Sequence, residues 1–174
     1  MNYPDLFGYL DKNNIWYDVV VDGKKIENEH DIVNLGLPLG RVAKSLVLVC
    51  GKYSGSEKGL LTIIPSNRKL DYKKVRERLK GYVNYHAPCG HSSYISDDIR
   101  PATPVEVLEY SGYPVGSVPP INHRDIHTHM LDRKLMEFKT VLTGSGFPDK
   151  LIELKIEDII RLCNPDIYDI SGAI

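Results

Sequence analysis

The stretch Val42–Cys50 constrains this chain more than any other. Its run Leu46-Val47-Leu48-Val49 is apolar at consecutive positions, where a strand with one wet face would alternate. Such a strand has to be covered on both sides, so it belongs inside a sheet with further layers packed on it. Leu60–Pro65 is a second apolar run, and the polar, glycine-rich Gly51–Gly59 between them reads as a turn. The two strands should therefore pair antiparallel.

Short helical and extended segments surround this pair. A helix is expected over Asn2–Asn13, with Asn2 as its cap and Leu6 and Leu10 on one face. A strand over Ile15–Val21 turns at Asp22-Gly23, and a helix over Asn28–Leu35 ends at Gly36 and Pro38. Asp71 caps a helix reaching Lys80, with Val75 and Leu79 inward and Gly81 as its stop. Periodicity then lapses over Tyr82–Arg100, which reads as a long loop or an insertion. Thr103-Pro104-Val105-Glu106 is a capping box with proline at the first helical position, and Gly112 closes that helix. Strands follow at Ile126–Leu131, Phe138–Thr143 and Leu151–Leu154, and a last helix at Ile156–Cys163. With 174 residues, 42% hydrophobic and 26% charged, the chain fits one α+β domain over residues 1–174. The expected architecture is a mixed, barrel-like sheet closed by hairpins, with helices around it.

The formal net charge of −1 speaks against a long nucleic-acid footprint. Any nucleic-acid contact should be local, a few phosphates at one end. Cys50, Cys89 and Cys163 are an odd, scattered set without CxxC spacing, as in a reducing compartment. The N-terminus shows no basic stretch followed by an apolar one, and no apolar run is of membrane-spanning length. A cytoplasmic protein that makes no membrane contact is expected.

Lys44 opens the most apolar strand and by alternation shares a face with Leu46, Leu48 and Cys50. Two readings stand side by side: the lysine stem snorkels to water at the strand end, or its ammonium holds a phosphate or polarises a carbonyl at a pocket mouth. Gly112–Pro120 is rich in glycine and proline, a composition that can aim backbone amides at an oxygen or can simply turn a corner. Gly144-Ser145-Gly146 is either the facing wall of a pocket or a hairpin turn. His127 and His129 should share a strand face near His123, and His86, Cys89 and His91 form a second group. Neither set has zinc spacing, so no metal and no other cofactor is expected. A metal-dependent hydrolase on His123, His127 and His129 is the weakest reading. No G-x-S-x-G elbow is present, so any hydrolysis must act on a bond that is already reactive.

Taken together, several stretches resemble the YbaK/EbsC family and the editing insertion of bacterial prolyl-tRNA synthetases. They are Ala43–Val47, Ile64–Asp71, Tyr113–Pro120, Leu131–Leu135 with Glu137-Phe138, and Gly144–Gly146, in order from about Ile15 to Ser171. The resemblance implies a metal-free deacylase acting in trans on tRNA carrying the wrong small amino acid (alanine, cysteine or serine), often on proline tRNA. The implied partner is the aminoacylated 3′ end of tRNA, with an aminoacyl-tRNA synthetase as a further one. By the same analogy Lys44 holds the 3′-terminal nucleotide, and Gly116 begins the Gly-x-x-x-Pro loop that seats the aminoacyl group. Substrate contacts are then expected from Tyr17, Ser45, Ser117, Val118, Pro119, Pro120, His123, Gly144, Ser145 and Gly146. Relatives carry a second glycine where this chain has Ser117, which implies a narrower pocket or an added hydroxyl. The competing reading is a non-catalytic module that binds a nucleotide or aminoacyl ligand in the same pocket.

Overall fold

The computed structural model describes residues 4–52, 57–84 and 94–174. Strands β1 (Tyr17–Asp22), β2 (Val42–Lys52), β3 (Glu57–Pro65) and β4 (Arg68–Leu70) occupy the first part of the chain. Strands β5 (Tyr94–Pro101), β6 (Ile126–Asp132), β7 (Thr140–Gly144) and β8 (Lys150–Lys155) follow. Strands β9 (Asp166–Tyr168) and β10 (Ser171–Ala173) end it. β2 and β3 pair antiparallel from Ala43↔Pro65 to Gly51↔Glu57, as their sequences demand. They form the middle of a sheet ordered β1-β8-β7-β2-β3-β6-β9.

Both faces of β2 are covered. Leu48 and Cys50 pack with Leu60, Ile64, Val75 and Leu79, the last two from helix α3, with α1 at Leu6–Lys12, α2 at Glu29–Asn34 and α3 at Tyr72–Asn84. The alternate residues Ala43 and Val47 point the other way, into a core with Leu61, Ile63, Val118 and Leu131. Val75 and Leu79 are fully buried, each side chain contributing roughly 1.5–3 kcal/mol. Helices α4 (Pro104–Ser111) and α5 (Ile156–Cys163) complete the set. The Thr103–Glu106 capping box forms, and Gly112 ends α4 in the left-handed conformation at φ +82.

Four expectations need correction. The expected α+β arrangement of a mixed sheet with helices around it is what forms, but the sheet does not close into a barrel. β2–β7, β3–β6 and β6–β9 are parallel joins, which hairpins cannot make, and among the described residues the terminal strands β1 and β9 pair only with β8 and β6. Asp5, whose carboxylate accepts from Gly8 N–H, caps α1; Asn2 lies outside the described residues. Helix α3 runs through Gly81 to Asn84, so Gly81 is not its stop, and Tyr94–Pro101 is a strand, so the stretch over 82–100, expected as a long loop or an insertion, is regular at both ends. Residues 85–93, with His86, Cys89 and His91, lie outside the described set. Finally, His127 and His129 do not share an environment. A register shift where Gly59↔Ile126 gives way to Leu60↔Thr128 turns the His127 side chain out, at 67% exposure, while His129 is buried.

Candidate active site

β3 fills one whole edge of β2, and two strands divide the other. β7 takes Val42 and Ala43, and β5 begins only at Leu48. Between Ala43 and Leu48 no described strand pairs with that edge, and the sheet has a notch. Ser66 N–H donates to Val42 O on the β3 side (2.8 Å), whereas Ala102 N–H donates to Val47 O on the notch side (3.0 Å). Alternation therefore turns the Ser45 peptide groups toward the notch. A cavity of about 450 Å³ occupies this gap. Lys44, Ser45 and Leu46 form its back, Gly144 one side, Pro101 and Ala102 the other.

The notch resolves what alternation alone would forbid. Lys44 and Ser45 point to opposite faces of β2, yet both reach the cavity because it sits at the strand's edge. On the Lys44 face, Ile32 packs against Val42 and Leu142, and this anchors α2 beside the start of β2. Asn28 and Asp31 cap α2 reciprocally, so Glu29 is held in its first turn. Lys44 Nζ donates to Glu29 Oε1 at 3.3 Å and to Ser66 O at 3.2 Å, with 26% of the lysine side chain exposed. The Glu29 carboxyl lies below the usual range, chiefly through its own backbone N–H, against burial and with help from Lys44.

On the Ser45 face stands the glycine-proline loop. Gly116 (φ +85) and the buried Val118 line the cavity. Ser117 N–H donates to Pro114 O (3.2 Å) and Ser117 O accepts from Gly146 N–H (2.7 Å). The loop's internal bonds do not use the Gly116 and Val118 amides. A Cβ on Gly144 would stand 2.8 Å from Ser117 O, and one on Gly146 2.8 Å from the Tyr113 ring. These two glycines are what lets the turn after β7 lie directly on the loop. Ser45 Oγ is buried without a hydrogen-bond partner at the cavity wall, and Thr143 Oγ1, beside Ala43 in register, is likewise unpartnered.

A family model for the aminoacyl-tRNA editing domain matches residues 32–162, which include the notch, the loop and the Gly144 turn. The chain belongs to the aminoacyl-tRNA editing domain family. No curated protein sequence matches it. Solved structures with the editing-domain fold include a hypothetical protein at TM-score 0.75 and 22% identity, covering 97% of this chain and 99% of that one. Another is described as a candidate trans-editing enzyme for prolyl-tRNA synthetase, at TM-score 0.71 and 22% identity, covering 99% and 100%. A third is a candidate signal-transduction protein from Marinobacter aquaeolei VT8, at TM-score 0.60 and 16% identity, covering 98% of this chain and 31% of that one. At these identities the likeness is one of fold.

Of the residues singled out in sequence, the editing-domain cavity brings together Lys44, Ser45, Gly116, Val118 and Gly144. The others stand behind it or apart. Ser117 Oγ donates to Pro114 O (3.1 Å) and Ser145 Oγ to Lys150 O (3.0 Å), so both hydroxyls serve their own turns. Pro119 and Pro120 are buried behind the loop. Tyr17 packs on Phe7 with ring centroids 5.4 Å apart. His123 Nε2 lies 2.8 Å from Pro119 O, and its Nδ1 3.3 Å from His129 Nε2. Since a carbonyl can only accept, His123 carries its proton on Nε2, and His129 Nε2–H donates to the bare Nδ1. Burial pushes both imidazoles well below the usual histidine range, His123 to about 4. Among the described residues no His, Cys, Asp and Glu side chains group as a metal site. No helix among them is long and apolar enough to cross a membrane. Glu29 and Ala102 also line the cavity but carry no mark in the sequence: an acid in a helix's first turn has a helical reason to be there, and Ala102 offers no chemistry.

Proposed function

We propose that the protein is a trans-acting aminoacyl-tRNA deacylase, hydrolysing the ester of tRNA mischarged with a small amino acid, with proline tRNA the preferred carrier. One observation carries the reading: in a chain of the editing-domain family, Lys44 and the Gly116 loop address one small cavity from opposite faces of the same strand. Lys44 holds the phosphate of the 3′-terminal nucleotide. The free amides of Gly116 and Val118 stabilise the oxyanion that develops on the ester carbonyl. A bound water, or a hydroxyl of the tRNA itself, attacks the carbonyl carbon. When water attacks, its oxygen forms the new bond, the bond to the ribose oxygen breaks, and the ribose oxygen takes the proton. Amino acid and uncharged tRNA result. Positioning and charge stabilisation suffice because the ester is already labile. The site of action is the cytoplasm, with an aminoacyl-tRNA synthetase as an associated partner.

The test is to incubate the protein with tRNA charged separately with alanine, cysteine, serine and proline. Faster ester loss than in buffer from at least one of the first three is expected. A second reading is favoured by the same fold forming 31% of a longer chain described as a candidate signal-transduction protein. There the cavity would bind a nucleotide or aminoacyl ligand without turnover, and binding with no hydrolysis across the panel would select it.

A further inference from the structure

The cavity wall is mostly apolar but carries one ion pair. Both contacts of Lys44 Nζ, 3.3 Å to Glu29 Oε1 and 3.2 Å to Ser66 O, are at the long end of hydrogen bonding. The Glu29 side chain keeps 49% of its exposure, and only its Oε1 is engaged with Lys44. The neighbouring Glu27 carboxylate is held by Lys25 at 2.5 Å instead. One ammonium and one carboxylate, loosely joined, therefore face whatever enters.

An aminoacyl ester at a nucleotide end carries the complementary pair, a phosphate on one side of the carbonyl and an α-ammonium on the other. Resting on the deacylase reading above, we infer that Glu29 receives the α-ammonium of the aminoacyl group, so that a free α-amine is part of what the site selects. Lys44 turns from Glu29 to the anion, and the substrate's ammonium replaces it on the carboxylate. Neither charge is left unpaired in the free or the bound state. An N-acylated or peptidyl ester offers an uncharged, bulkier amide at that point and leaves Glu29 without a counter-charge. The cavity thereby takes aminoacyl-tRNA and rejects peptidyl-tRNA.

The test uses the full chain and tRNA bearing whichever amino acid it cleaves fastest, either with the free amine or N-acetylated. kcat/KM is measured on both esters for the wild type, Glu29→Gln and Glu29→Asp. The wild type should prefer the free amine by roughly tenfold or more, the worth of a charge-assisted hydrogen bond. Glu29→Gln should lose about that factor on the free-amine ester and change little on the acetylated one, with Glu29→Asp recovering part of the preference. Parallel losses on both esters would reduce Glu29 to a support for Lys44 and overturn the inference, as would equal wild-type rates on the two. Hydrolysis of neither ester by the wild type would end the deacylase reading itself, and this inference with it.

Discussion

Replacing Gly144 by alanine puts one methyl group between the two walls of the cavity. Its carbon would stand 2.8 Å from Ser117 O, 2.9 Å from Ser117 C and 2.9 Å from Val118 O. All three are backbone atoms, so no side chain can swing away. Ordinary carbon contacts begin near 3.5 Å, and the loop would have to retreat by about 0.6–0.7 Å. That retreat lengthens the Gly146 N–H to Ser117 O bond, now 2.7 Å. Overpacking of this kind costs about 1–3 kcal/mol, which for a chain of this size lowers Tm by roughly 2–12 °C. The displaced Gly116 and Val118 amides should also lower kcat by about tenfold, given that a 1 Å misplacement can cost a hundredfold. Gly172→Ala is the control, since a Cβ there meets nothing within 4 Å. Thermal unfolding by circular dichroism and single-turnover deacylation read the two effects. If Gly144→Ala falls no further than Gly172→Ala in either measurement, the loop and the turn are not braced as described.

Two further outcomes follow from buried polar groups. His123 and His129 are held neutral by burial, with His123 lowered to about 4. Between that value and the ordinary histidine pKa near 6.5 the unfolded chain binds more protons, so stability rises with pH and is lost on acidification. Urea unfolding should show a loss of about 2 kcal/mol per histidine between pH 7 and pH 5; a double His123→Gln, His129→Gln variant with the same pH slope would contradict this. Thr143→Val removes a buried hydroxyl that has no partner and keeps the shape, so stability should hold or rise. A loss above about 1 kcal/mol would show that the hydroxyl is satisfied after all.

Where local chemistry decides an element, the sequence was a reliable guide. The Thr103–Glu106 box and the α5 span appear as read, because caps and periodicity are settled within a few residues. The β2–β3 pair was equally plain from its hydrophobicity. Strands β4, β9 and β10, three residues each, were not legible: Ser171↔Leu70 and Met130↔Asp166 are pairings across the fold that leave no local pattern. The open sheet escaped for the same reason, since parallel joins are invisible to neighbouring-residue arguments. At the site, Lys44 stood out as a lysine opening an apolar strand, whereas its role and that of Gly116 came only with the family resemblance. Glu29 did not stand out, since its place at the cavity comes from Ile32 docking α2 beside β2. The distinction between Gly116 and Ser117, adjacent residues with one on the cavity and one behind it, required coordinates.

The proposed deacylation depends on the Lys44 ammonium gripping the charged end of tRNA beside the loop amides. Its most direct test is deacylation of a mischarged tRNA by the wild type and by Lys44→Ala, with circular dichroism confirming the fold of both. The prediction is rapid ester loss with the wild type and background loss with the variant. Wild-type turnover by a folded Lys44→Ala would contradict it.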